Sequence, residues 1–138
     1  MIFSSKDQLN FAEISQDFNP MHCDAVLARR YIFGESVVHG INAMIFAIKE
    51  WSYLVDTPFF INKLRCKFKK PLFLNKEISI EIKNIDNSIK INLIQDEELK
   101  VGILMEVSEA KHNYNQIKEH DSLTEKTPNN ISFEGLKD

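Results

Sequence analysis

An aspartate and a histidine flank a proline in the segment Asp17-Phe18-Asn19-Pro20-Met21-His22. Pro20 drives Asn19 out of the helical region of backbone space, so the segment predicts a stiff turn that directs both side chains into one pocket. A carboxylate can take a proton from water while an imidazole gives or shares one. The pair therefore predicts a site that adds water to a substrate or removes it.

A glycine follows in Val37-Val38-His39-Gly40, at the start of a long apolar run. The free N–H groups at a helix start stabilise developing negative charge, and a glycine lets a substrate carbonyl approach the main chain. Losing one such donor typically costs about 100-fold to 1,000-fold in rate. A thioester carbonyl polarised there has an acidic α-carbon and an electrophilic β-carbon, as the hydration of an enoyl thioester requires.

With these motifs the sequence resembles the MaoC-like hydratases, in particular the (R)-specific enoyl-CoA hydratases, which have the hot-dog fold. The resemblance covers about Phe3 to Val107, and most of its specificity lies in the first forty residues. The matching residues are the run from Phe11 to Asp24, Ala28-Arg29, Phe33-Gly34, Val37-Val38-His39-Gly40 and Lys69-Lys70-Pro71-Leu72-Phe73.

The resemblance implies a role for each motif residue. Asp17 and His22 would be the catalytic residues that hold and activate water, and Gly40 would bind the thioester carbonyl. Asn19 would be a substrate-binding residue and, with Pro20, would shape the turn. The implied activity is that of a hydro-lyase, which reversibly adds water to a 2-enoyl thioester to give a 3-hydroxyacyl thioester. No metal or redox cofactor is expected. Coenzyme A or phosphopantetheine would enter as part of the substrate.

Two other functions stay open at this point. The same helix-head glycine would serve an acyl thioesterase. A non-catalytic module that binds an acyl-carrier protein is the third possibility, because Ile48 stands where the (R)-specific hydratases carry a serine. Arg65, Lys67 and Lys69 alternate along one strand and would meet coenzyme A phosphates or an acidic carrier protein. Lysines on an edge strand also simply discourage aggregation.

Three helices are expected before the strands. Apolar residues at helical spacing predict a helix over Ser5 to Gln16. Asp24 is expected to cap a second helix that runs through Tyr31, with Gly34 in a left-handed conformation beyond it. From His39 to Val55 the sequence is apolar over nearly its whole circumference, which predicts a central helix buried on most sides.

Beyond Pro58 the pattern changes to short alternating runs, which predict an antiparallel sheet. The runs are Phe59 to Phe68, Glu77 to Ile85, Ser88 to Gln95 and Leu99 to Val107, with turns at Asp86-Asn87 and Asp96-Glu97. Leu99, Val101, Ile103, Met105 and Val107 are expected on one face. The fold class is thus α+β, a hot-dog fold in which the sheet wraps the long central helix, and a homodimer is expected.

The chain has 138 residues, of which 43% are hydrophobic and 27% charged, values typical of one globular domain. We expect that domain over residues 1–110 and a polar extension or linker over 111–138. The net charge of -3 argues against nucleic acid as a partner. No leader or membrane-spanning run is evident, and Cys23 and Cys66 are expected as free thiols in the cytoplasm. Asp24, beside His22 and Cys23, is interpreted as a helix cap and not as a metal ligand.

Overall fold

The structure is a computed structural model that describes residues 1–110, so the predicted extension 111–138 lies outside the described residues. It contains the helices α1 (Ser5–Ser15), α2 (Pro20–Cys23), α3 (Ala25–Ala28) and α4 (Gly40–Ser52), and the strands β1 (Phe59–Phe68), β2 (Ser79–Ile85), β3 (Ser88–Gln95) and β4 (Glu98–Glu109). Among these residues, no helix has the length and apolar character needed to cross a membrane.

The first helix matches its prediction to within one residue and sets where the catalytic turn begins. Ser4 caps α1 in a reciprocal arrangement with Asp7, in which each side chain accepts from the other residue's backbone N–H. The helix ends at Gln16, which is left-handed with φ of 59°. Asp17 therefore leaves the helix at a sharp change of chain direction.

The second predicted helix is much shorter than expected. Asp24 does cap it, because its Oδ1 accepts from Val26 N and Leu27 N, both at 2.9 Å. However, α3 ends at Ala28. The predicted extension to Tyr31 is wrong, because the chain there closes tighter turns, with Tyr31 N donating to Ala28 O. Gly34 is left-handed with φ of 70°, as predicted.

All neighbouring strands pair antiparallel, in the order β1-β4-β3-β2. The predicted bounds of β1 and β3 are confirmed, whereas β2 starts at Ser79 and β4 runs from Glu98 to Glu109. Both predicted turns are present, with positive φ at Asp86, Asp96 and Glu97. The tight turns connect β2 to β3 and β3 to β4, and β1 is an edge strand of the sheet that residues 1–110 form.

A bulge in β4 corrects the prediction that Leu99 shares a face with Val101. Leu93 pairs with Val101 and Ile94 pairs with Leu99, so Lys100 is an extra residue in β4. The extra residue reverses the alternation. Val101 is buried in the core, but Leu99 lies on the opposite face.

The central helix packs against the sheet on one face only. Ala43, Ala47 and Trp51 are buried in the core. The sheet side of that core includes Ile91, Leu93, Val101, Ile103 and Met105. Ile41 and Ile45 are half exposed, at 50% and 51%. The prediction that the helix is buried on most sides is wrong for the single chain, because the sheet covers only one of its faces.

The segment before α4 is held to the loop after β1. Val37 forms an isolated bridge with Phe73, and Val38 N donates to Leu72 O at 2.7 Å. The buried side chain of Gln95 pairs with both main-chain groups of Phe73. These contacts fix the N-terminus of α4 beside the end of β1.

Candidate active site

The structure brings Asp17 and His22 together with a third residue, His39. One oxygen or nitrogen atom from each lies within 4.8 Å of the others. All three line a small cavity of about 160 Å³, which we call the polar cavity. Its lining is completed by Phe11, Ser15, Gly40 and Ile41.

The turn between α1 and α2 is organised by side-chain hydrogen bonds to the backbone. Asp17 Oδ1 accepts from Asn19 N at 3.2 Å, and Asn19 Oδ1 accepts from Met21 N at 3.0 Å as the N-cap of α2. The side-chain oxygen of Asn19 thus shapes the turn, and Asn19 does not line the polar cavity. Its contact with substrate stays a prediction. Asp17 keeps its carboxylate half exposed, at 51%.

His22 is held in one hydrogen-bonding form. Its Nδ1 lies 2.8 Å from Val37 O. A carbonyl oxygen only accepts, so Nδ1 carries the hydrogen and donates it. The other ring nitrogen, Nε2, is then left for chemistry in the polar cavity. It presents a lone pair when the ring is neutral and an N–H when the ring is protonated.

The sequence alone indicates no chemistry for His39, but in the structure it lines the polar cavity beside Asp17 and His22. Its ring is stacked on that of His22 with centroids 4.0 Å apart, and its Nε2 donates to Asp17 O at 3.0 Å. Only 2% of the residue is exposed. Burial lowers the pKa of His39 below its usual range, although the Asp17 carbonyl opposes the shift. The one sequence signal was its position next to Gly40 at a helix start.

Gly40 is the first residue of α4, and no side chain among the described residues caps the first turn of that helix. Gly40 and Ile41 line the polar cavity and also a larger one of about 450 Å³. This second cavity, the apolar cavity, is further lined by Phe33, Val37, Val38, Phe68, Lys69, Lys70, Pro71, Leu72 and Val101. The two cavities therefore share the helix N-terminus, where a carbonyl of a bound ligand would meet backbone N–H groups.

The structure also gives a packing reason for glycine at position 40. A Cβ atom there would lie 2.8 Å from a ring carbon of Phe68.

Ile48, where a serine was expected from the resemblance, packs against the core and lines neither cavity.

The predicted cationic stripe lies on one face of β1 and continues to Lys69, the residue that follows the strand. Arg65, Lys67 and Lys69 line a groove of about 480 Å³ together with Lys90, and we call this the cationic groove. None of these four forms an ion pair within residues 1–110. Lys69 also lines the apolar cavity, so the two surfaces are continuous at the end of β1.

Both cysteines are free thiols, as predicted. Burial raises the pKa of Cys23, and the negative charge of Asp17 adds to the shift. Burial also raises the pKa of Cys66. A raised pKa lowers the thiolate fraction, which makes both side chains poor nucleophiles.

Comparison with protein families matches residues 2–107 to the MaoC like domain. In a comparison with curated proteins, the chain is 30% identical over 81 residues to an (R)-specific enoyl-CoA hydratase of Aeromonas caviae, covering 58% of this chain and 60% of that protein. It is 45% identical over 40 residues to a mitochondrial 3-hydroxyacyl-[acyl-carrier-protein] dehydratase of Arabidopsis thaliana, covering 29% of this chain and 24% of that protein. The aligned regions thus span less than two thirds of either relative.

Among solved structures, an (R)-hydratase of A. caviae matches with a TM-score of 0.68 and 24% identity, covering 80% of this chain and 90% of that chain. An R-hydratase of Pseudomonas aeruginosa matches with a TM-score of 0.70 and 18% identity, covering 81% and 77%. Such neighbours confirm the predicted hot-dog fold.

Proposed function

Because this chain belongs to the MaoC-like domain family, we propose that it is a hydro-lyase that reversibly adds water to a 2-enoyl thioester. The product is a 3-hydroxyacyl thioester. The observation that carries the proposal is that Asp17 and His22 line a polar cavity that meets an apolar cavity at the uncapped start of α4. The proposed acid and base thus adjoin the N–H groups that would bind the carbonyl. Next to these groups is space for an acyl or pantetheine chain.

In the proposed reaction, the Gly40 N–H donates a hydrogen bond to the thioester oxygen and stabilises the negative charge that develops there. The oxygen of a water molecule bonds to the β-carbon while its proton passes to the carboxylate of Asp17. The α-carbon receives a proton from Nε2 of His22. Transfer of the proton from Asp17 back to His22 restores the site. Val37 O accepts from Nδ1 in both protonation states of the ring, which keeps Nε2 in place.

No metal or redox cofactor is required by this scheme, because two side chains move the protons and a helix N-terminus stabilises the oxyanion. Coenzyme A or phosphopantetheine would enter as part of the substrate. The cationic groove supports an anionic carrier of the acyl group, either the phosphates of coenzyme A or an acidic acyl-carrier protein. The activity is proposed to take place in the cytoplasm.

We propose that the chain acts as a homodimer. Partly exposed apolar side chains of α4 and of the edge strand β1 support it, namely Ile41, Ile45, Ile61, Leu64 and Phe68. An unpaired edge beside an apolar face is an aggregation risk that a second copy of the chain would cover.

The test is the loss of enoyl-thioester absorbance with crotonyl-CoA and longer 2-enoyl-CoAs. We expect the native protein to consume the substrate, and Asp17→Asn and His22→Ala each to lower kcat by at least about 100-fold. Glu13→Gln is the matched control, because this exposed carboxylate on α1 lines neither cavity. Near-native rates in both active-site variants would refute the proposal.

Thioester hydrolysis is the alternative reaction on the same scaffold. It would release free thiol from acyl-CoA without forming a 3-hydroxyacyl product, so a thiol reagent in the same assay separates the two. A third result, binding of an acyl carrier without turnover of any thioester, would identify a binding module.

A further inference from the structure

Two buried polar residues outside the motif hold the catalytic pair. Gln8 is fully buried on α1, and its Nε2 donates to Val37 O at 2.9 Å. The same oxygen accepts from His22 Nδ1, so one carbonyl connects α1 to the histidine. The Oε1 of Gln8 accepts in turn from His39 N at 3.4 Å. Gln8 thereby clamps the extended segment that carries His39 into the site.

His39 connects to both members of the pair. Its Nε2–H donates to the main-chain oxygen of Asp17, which fixes the start of the turn. Its ring stacks on His22 at an interplanar angle of 28°. The remaining nitrogen, Nδ1, is buried with no partner among the described residues. A second hydrogen on this ring would have no acceptor there, so the geometry favours a neutral His39.

We infer that His39 is a positioning residue for the proposed hydration. As a neutral ring, it holds the Asp17 turn through Nε2 and supports the ring of His22 by stacking. Gln8 in turn fixes the segment that carries His39. The inference rests on the proposed function for its chemistry and on contacts of the described residues for its geometry. It differs from a purely structural role in one respect. Loss of these contacts should misplace the proton donor and acceptor, and so lower kcat more than it weakens substrate binding.

Two substitutions separate the two contacts. His39→Phe keeps a ring to stack on His22 but removes the donor to Asp17 O. His39→Gln keeps an N–H donor but removes the ring. We expect His39→Phe to lower kcat by about tenfold or more and to leave KM within about twofold, because misalignment by an ångström costs rate more than binding. His39→Gln should recover part of the kcat if the donor is the larger contribution.

The second measurement does not depend on turnover. The ¹⁵N signals of the His22 ring, identified by their loss in His22→Gln, report which nitrogen carries the hydrogen and how rigidly the ring is held. In the native protein we expect a single form protonated on Nδ1. Gln8→Glu keeps the acceptor for His39 N but loses the donor to Val37 O. In this variant and in His39→Gln, we expect the His22 ring signals to be broadened or mixed.

The outcomes distinguish the two proposals. Native hydration with an unchanged kcat in both His39 variants would overturn the positioning role. A fall in kcat that only tracks a loss of folded protein, measured by circular dichroism at the assay temperature, would overturn it too. If the native protein hydrates no enoyl thioester, the proposed function fails and the ring signals alone decide. Unchanged His22 signals in the Gln8 and His39 variants would then overturn the inference completely. Altered signals would support only its geometric part, that His39 and Gln8 hold the His22 ring, and the role in hydration would fall with the proposed function.

Discussion

The imidazole rings of His22 and His39 stack with their centroids 4.0 Å apart. Two positive charges at that distance would repel each other strongly in a partly buried site. The two rings are therefore not suited to carry a positive charge at the same time. His39 is the buried one, and its Nε2 is already committed to the Asp17 carbonyl. The arrangement therefore disfavours a second proton on His39.

The low pKa of His39 predicts a pH-dependent stability. Burial keeps the folded chain from binding a proton on this ring, whereas the unfolded chain binds one near pH 6.5. The free energy of unfolding should therefore be highest above that pH and should fall as the pH drops toward the folded pKa. The neighbouring groups are His22, which lowers the pKa further, and Asp17, which opposes the shift.

Denaturant unfolding at steps between about pH 7.5 and pH 5 measures this effect. In His39→Gln, which does not titrate, the decline in unfolding free energy over that range should be smaller than in the native protein. Parallel pH profiles for the two proteins would contradict the prediction.

Cys23 provides a reporter for the charge on Asp17. The Asp17 carboxylate contributes to the raised pKa of Cys23, so Asp17→Asn should lower that pKa and increase the thiolate fraction. In a Cys66→Ser background, the reaction of Cys23 with a disulfide reagent at neutral pH should then become roughly twofold faster, a modest change because solvent screens the pair.

Glu13→Gln in the same background is the control, and it should leave the rate unchanged. An equal rate in the Asp17→Asn protein would contradict an effect of Asp17 on the pKa of Cys23.

Local sequence signals predicted the elements whose ends have local causes. The cap of α3 at Asp24 and both hairpin turns depend on side chains within a few residues, so they were visible in the sequence. The bulge at Lys100 was not, because it depends on the register between β3 and β4. The face of Leu99 was consequently predicted wrongly.

The candidate site follows the same division. The turn from Asp17 to His22 is contiguous and carries a recognisable motif. His39 contacts Asp17, which is 22 residues away along the chain. Gln8 contacts Val37, which is 29 residues away and also accepts from His22. Gln8 lies on a helix with no distinguishing pattern, and only packing turns it inward. Long-range polar contacts of this kind are not visible in a single sequence.

The exposed apolar face of α4 and β1 predicts an effect of charge on assembly. Leu64→Arg places a cation at the unpaired edge of β1, where a second copy of the chain would pack. We expect this variant to run as a monomer in light scattering under conditions where the native protein is a dimer. Ile14→Arg is the control, because Ile14 is 83% exposed on α1, and it should not change the mass. A monomeric native protein would contradict the dimer.

Lys69 predicts an effect on substrate binding because it lies where the cationic groove meets the apolar cavity. Lys69→Gln should raise KM for an anionic thioester about threefold to tenfold with little change in kcat, as expected for one charge-assisted contact in a solvated place. The effect should weaken as salt is added. Lys83→Gln is the control, because Lys83 lies 3.8 Å from Glu81 and outside the groove. Equal KM values in the two variants would exclude Lys69 from the substrate path.

Glycine at position 40 could be required for packing against Phe68 or for carbonyl binding, and a double variant separates these two explanations. In Gly40→Ala the new Cβ meets the ring of Phe68 at 2.8 Å. Because Gly40 lines both cavities, the proposed mechanism expects the same Cβ to hinder a carbonyl that approaches the helix N-terminus. Phe68 is half exposed, so its ring is the neighbour that can give way. If packing alone requires glycine, Gly40→Ala/Phe68→Leu should restore both thermal stability and hydration.

If carbonyl binding requires glycine, the double variant should regain stability but stay about 100-fold less active, the size of effect typical for a lost oxyanion contact. We expect this second result, because both cavities meet at Gly40 and Ile41. Phe68→Leu alone is the reference for any change in the apolar cavity. Full recovery of hydration in the double variant would remove Gly40 from the proposed mechanism and leave it as a residue selected for packing against β1.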